Sequence, residues 1–174
     1  DFIMANVSTA KGSYTFNFSN VENVTPREVT TWIRKFMLAL ELQEYATVCE
    51  NSLPNRAFTG AEIKAPISLN FTADGHYAYK NNINWLSDED TPVGRLLKEM
   101  KGLVITIDYL DYEIGYGFID AGKAFINVEK TTTIVFNVVN YDLTKENFIE
   151  LAVGDEDDWQ ELGLEDKKIM TLAI

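Results

Sequence analysis

The sequence predicts an α+β domain, a largely antiparallel sheet with helices packed on one face. Three observations predict it. Two segments open on Thr-Pro and continue with apolar residues at helical spacing, "TPREVTTWIRKFMLAL" and "TPVGRLLKEM". Around them lie runs in which β-branched and aromatic residues alternate with polar ones, as half-buried strands require. The elements then follow one another as β-α-β-β-α-β, with further strands and a helix behind.

The first strand is read over "GSYTFNFS" (12–19), which alternates and is rich in aromatics. In the helix that follows, Thr25 is the cap, Pro26 takes the first helical position, and Glu28 stands three residues after the cap. Val29, Trp32, Ile33, Phe36, Met37 and Leu40 form its apolar stripe, opposite Thr30, Arg34 and Lys35. Pro, Asn and Gly mark residues 51–60 as loop. "EIKAPISLNFT" and "HYAYKNNINWL" read as strands joined by a hairpin at "ADG", with Pro66 placing the first at an edge or beside a bulge. The second helix has Thr91 as cap, Pro92 at its start, Val93, Leu96, Leu97 and Met100 as stripe, and Gly102 as stop. "LVITIDYL" returns as a strand and completes the split arrangement of a ferredoxin-like core. "GFI", "AFINVEK" and "TTIVFNVVNYDL" add strands, "TKENFIELAVG" a third helix, and residues 155–174 an acidic C-terminal segment.

A chain of 174 residues with 46% hydrophobic content suits one domain, expected over residues 4–174. Met4 is the expected natural start, with residues 1–3 a vector-derived remnant. No apolar run approaches membrane-spanning length, and the lone Cys49 allows no internal disulfide, so a reducing cytoplasmic setting is expected. The net charge of −12 is unevenly spread. Residues 1–87 hold seven Lys/Arg against eight Asp/Glu, whereas residues 88–174 hold eight against nineteen. Such a balance disfavours contacts to a phosphate backbone, which need clustered Lys and Arg.

Several motifs invite chemistry. "GFIDAGKAF" (117–125) imitates a phosphate loop, but Ala124 stands where a hydroxyl should meet magnesium, and strand formers follow where a helix should. It reads instead as a hairpin turn at "DAGK", with Gly122 supplying positive φ. Asp108, Asp111 and Glu113 suggest a divalent-metal site for phosphoryl transfer. Alternation puts Asp111 and Glu113 on one face and Asp108 on the other unless a bulge intervenes. His76, the only histidine, excludes histidine-cluster metal sites. Tyr14 and Phe16 on the first strand, with Tyr77 and Tyr79 on another, suit an aromatic sheet that stacks single-stranded bases as an RNA recognition motif does.

Charge points elsewhere. Asp155, Glu156, Asp157, Asp158 and Glu161 surround Trp159, an aromatic anchor ringed by acids, and Asp88, Glu89 and Asp90 form a second cluster. The expected function is a non-enzymatic module that meets a basic partner surface, one that ordinarily holds nucleic acid. An inhibitor of phage or mobile-element type, with carboxylates standing in for phosphates, fits this pattern. No motif requires a cofactor, and no membrane or direct nucleic-acid contact is expected.

Overall fold

The computed structural model describes residues 7–41, 46–76, 83, 86, 88–113, 118–131, 133–140 and 157. The chain runs β1 (Val7–Asn17), α1 (Pro26–Glu41), β2 (Ala46–Asn51), α2 (Gly60–Lys64), β3 (Ile67–His76), α3 (Pro92–Lys98), β4 (Val104–Glu113), β5 (Phe118–Val128) and β6 (Ile134–Asn140). The strands form one six-stranded sheet in the order β2-β3-β1-β4-β5-β6, and every neighbouring pair is antiparallel. The α+β class expected from the sequence is therefore present.

The two Thr-Pro helices form for the local reasons their sequences supply. Thr25 Oγ1 accepts the Glu28 N–H at 3.1 Å, and Thr91 Oγ1 accepts the Gly94 N–H at 3.0 Å. Each cap satisfies an N–H that the helix itself leaves without a partner. After α3 the chain reverses at Gly102, whose φ of 92° suits glycine, and whose N–H donates to the Val128 carbonyl at 2.7 Å. Trp32 Nε1 donates to the Leu96 carbonyl at 2.8 Å and ties α1 to α3. Thr30 departs from the expected solvent face, for it is buried. Its hydroxyl donates to the Pro26 carbonyl (2.7 Å) and accepts the Phe58 N–H (2.9 Å) as residues before α2 close over that side of α1.

The helices lie on the sheet face that carries Tyr14 and Phe16 of β1, Leu69 and Phe71 of β3, and Ile105 and Ile107 of β4, all buried in one core with α1 and α3. Phe36 from α1 meets Tyr14 and Phe16 edge-on, with ring centroids 6.4 and 5.7 Å away, and stacks with Trp32 at 5.1 Å. Phe71 lies 4.7 Å from Tyr14. Such offset and edge-to-face geometries suit the aromatic quadrupole and add to the gain from burial.

Several strand expectations change. "ATVCEN" forms β2, which the sequence reading passed over. "EIK" belongs to α2, where Thr59 and Glu62 make a reciprocal capping box. "ADG" is not a turn, because Ala73, Asp74 and Gly75 lie inside β3 and pair with β1 and β2. Pro66 stands just before β3, where its missing N–H costs no ladder bond, so an interior strand follows it. Ile83 and Leu86, read as strand, are helical and fully buried. The third helix expected over residues 144–154 lies outside the described residues.

Candidate interaction surfaces

The covered face decides the fate of the aromatic-stacking candidates. Tyr14 is 1% exposed and Phe16 is fully buried beneath α1, so neither ring can receive a base. Period-two alternation put them on one face, but the helix layer took that face. Tyr77 and Tyr79 lie outside the described residues. Apart from Leu110 and Ala121, which are buried, the opposite face carries polar rows. Ser68, Thr15 and Thr106 stand in one cross-strand row, and Asn70, Ser13, Asp108 and Lys123 in the next. Phe125, 40% exposed, and Val135, 39% exposed, are its open apolar residues near the β6 edge.

Asp108 and Asp111 of β4 do not converge. Register runs unbroken from Val104 to Glu113 against β5, so no bulge rotates Asp108 toward Asp111. Asp108 lies on the polar face, where its Oδ1 is 3.4 Å from Lys123 Nζ. Asp111 is fully buried on the helix side, where Ser8 Oγ donates to its Oδ1 at 2.5 Å. The Glu113 side chain lies outside the described residues. Among those residues, no three His, Cys, Asp or Glu side chains gather as a metal would need. Lys123 and Gly122 sit in the middle of β5, so the expected hairpin turn at "DAGK" is a strand interior, and the phosphate-loop likeness is one of letters only. The strand formers on both sides of that dipeptide carry the ladder through it.

Asp88, Glu89 and Asp90 are exposed, as an interaction role requires, but two of them are engaged locally. Asp88 Oδ1 accepts the Asp90 N–H at 2.9 Å, and its carbonyl accepts the Thr91 hydroxyl at 2.8 Å, which builds the entry to α3. Glu89 pairs with Lys98 at 2.8 Å. This cluster therefore offers a partner less free charge than its letters suggest. Asp155, Glu156, Asp158, Trp159 and Glu161 lie outside the described residues, while Asp157 is described and exposed.

Among the described residues, the best-organised surface ion pair was not singled out from sequence. Arg56 Nη1 and Nη2 donate to Glu62 Oε1 and Oε2 at 2.8 and 3.0 Å, and the Thr59 N–H donates to Oε1 at 2.9 Å. The Thr59-x-x-Glu62 capping box was its available signal. The hydrogen bond from Arg56, then that from the Thr59 backbone, hold the Glu62 carboxyl down to about 2 from an ordinary 4.5. A depressed carboxyl stabilises the fold above its unfolded value and loses that contribution as pH falls through its folded value. The Glu62 side-chain resonance should accordingly titrate with a midpoint near 2, and Arg56→Ala should return it toward 4.5. An unchanged midpoint in that variant would remove Arg56 as the cause. Both side chains are solvated, so the pair adds little to global stability.

Two open grooves border these surfaces. One, of about 610 Å³, lies between Ser19–Glu22, Gly102 and Asn127–Lys130 at an end of the sheet. The other, of about 390 Å³, lies between Pro54, Phe58, Pro66 and Leu69 beside Glu62. Among the described residues, no helix is long and apolar enough to cross a membrane. No protein-family model matches the chain, and neither a curated protein nor a solved structure matches it.

Proposed function

We propose that this protein is an acidic protein-interaction module without catalytic activity, and that residues 155–161 meet a basic surface on its partner. The carrying observation is the charge distribution. Residues 141–174 hold ten Asp/Glu against three Lys, a balance of −7 within a total of −12. Residues 155–161 contribute five acids and no base, with Trp159 among them. A surface of this kind steers toward Lys- and Arg-rich sites, and an aromatic anchor gives it apolar contact area. Sites that hold nucleic acid are dense basic surfaces, since they neutralise phosphates with Lys and Arg. The partner class is therefore a nucleic-acid-handling protein, and the module acts as a phosphate mimic that inhibits it, in the manner of phage or mobile-element inhibitors.

The remainder of the chain serves as scaffold. We further propose that β1, α1, β2, β3, α3 and β4 make a ferredoxin-like unit, extended on one side by β5 and β6. The order β2-β3-β1-β4 with all pairs antiparallel supports this, because a split β-α-β-β-α-β path produces that order.

Capture of partners from lysate tests the interaction reading. The bait with Asp155, Glu156, Asp157, Asp158 and Glu161 changed to their amides is the comparison. A basic, nucleic-acid-handling protein should be retained by the native bait, released by salt and absent from the amide bait, while the melting temperatures of the two baits stay close. Equal capture by both baits, or capture insensitive to salt, would overturn the reading.

A further inference from the structure

The two edges of the sheet differ. β2, at one edge, includes Glu50, and its register against β3 shifts between Ala46 and Val48. A charge and an irregularity are ordinary means of keeping an edge from pairing with another chain. β6, at the other edge, reads "IVFNVVN", with no charged residue and no proline, and its register against β5 is unbroken from Ile134 to Asn140. Among the described residues, no strand pairs with its outer side. The exposed Phe125 and Val135 lie beside that edge on the face away from α1 and α3. The direction of the β6 backbone groups follows from the hairpin, where the Glu129 N–H donates to the Thr133 carbonyl at 2.8 Å. Antiparallel ladders alternate between pairs that exchange hydrogen bonds and pairs that do not. Counted from Glu129 and Thr133, Asn127–Val135 and Phe125–Asn137 are bonded pairs. The N–H and C=O groups of Ile134, Phe136, Val138 and Asn140 therefore point away from β5.

We propose that β6 is the seam at which two copies of this chain join, antiparallel about a two-fold axis at Asn137, into one continuous sheet. In that register Phe136 pairs with Val138 of the second copy and Ile134 with Asn140, so every outward group of β6 finds a partner. A register two residues longer or shorter leaves one end of each strand unpaired. Asn137 then faces its own counterpart in a pair that exchanges no main-chain bonds, with the two Cα atoms about 4.5 Å apart. Charge selects the same place. Each copy carries a net charge of −12, so association is opposed wherever acids face acids, and a strand without charged residues brings none to the seam. A second copy is also complementary by construction, since in a two-fold contact the same backbone row serves both sides.

Sedimentation of the full chain over a concentration series tests the seam. The expected result is a monomer–dimer equilibrium, weakened several-fold in Asn137→Lys, which sets two ammonium groups face to face across the axis. Asn137 is exposed, so the melting temperature of the dilute variant should stay close to that of the native chain. Asn137→Cys should form an intermolecular disulfide on mild oxidation, because the two Cα atoms stand within bridging range. The mass of the linked peptide separates that product from one made through Cys49. Asn127→Cys, exposed but one strand further in, is the control and should give several-fold less. A native chain that stays monomeric at every concentration overturns the proposal, whether the β6 edge then takes an extended segment of another protein or nothing. So does a dimer that Asn137→Lys leaves intact, or a linked Asn137→Cys product no more abundant than that of Asn127→Cys.

Discussion

Phe36→Ala is expected to lower stability by about 3–5 kcal/mol, the range for truncating a buried aromatic. Phe36 is fully buried and its ring meets those of Tyr14, Phe16 and Trp32, so its loss opens a cavity where α1 rests on β1. The walls of that cavity are themselves rings, which collapse poorly into the space a neighbour leaves. A small domain has about 5–15 kcal/mol in total, so this one change removes a large share. Urea unfolding should show a lower midpoint with little change in slope. Leu38→Ala, two residues along the same helix but exposed, should stay within about 0.5 kcal/mol of the native protein. A small effect at Phe36 would mean that α1 does not seat on the sheet as described.

Gly12→Ala should be of similar severity for a different reason. Gly12 lies in the middle of β1, between Phe71 of β3 and Tyr109 of β4. A Cβ there would fall 1.8 Å from the Asp108 carbonyl oxygen and 2.9 Å from Phe71 Cε1. The ring could shift, but the carbonyl is part of the β1–β4 ladder and moves only if the two strands part. Overpacking ordinarily costs about 1–3 kcal/mol, and an obstruction made of backbone belongs at or above the upper end. The same urea experiment, with amide exchange on β1 and β4, would locate the damage. Protection lost from those two strands before the rest is the expected pattern, and a native-like melting curve would contradict the close approach.

The candidate sites divide along similar lines. Charge excess is additive over the sequence and needs no fold, so the acidic character of residues 155–161 was legible directly. Side-chain orientation was not. Asp108 and Asp111 could be set on opposite faces from alternation, and they are. Alternation could not say that Asp111 would be the buried one, nor that Ser8, distant in sequence, would donate to it. For Asp88 and Glu89, local capping and Lys98 absorb what composition counted as free charge.

By itself the sequence determined both Thr-Pro helices, their caps and their buried stripes, because cap geometry and helical periodicity are settled within a few neighbouring residues. It also determined the α+β class and the charge map. Only the tertiary structure decided that "ATVCEN" is a strand, that "ADG" and "DAGK" continue strands instead of turning, and that Tyr14 and Phe16 face the helices. Strand pairing joins residues far apart in the chain, and a period of two names two faces without saying which will be covered. In this protein the helix layer made that choice, turning an apparent base-stacking surface into the core.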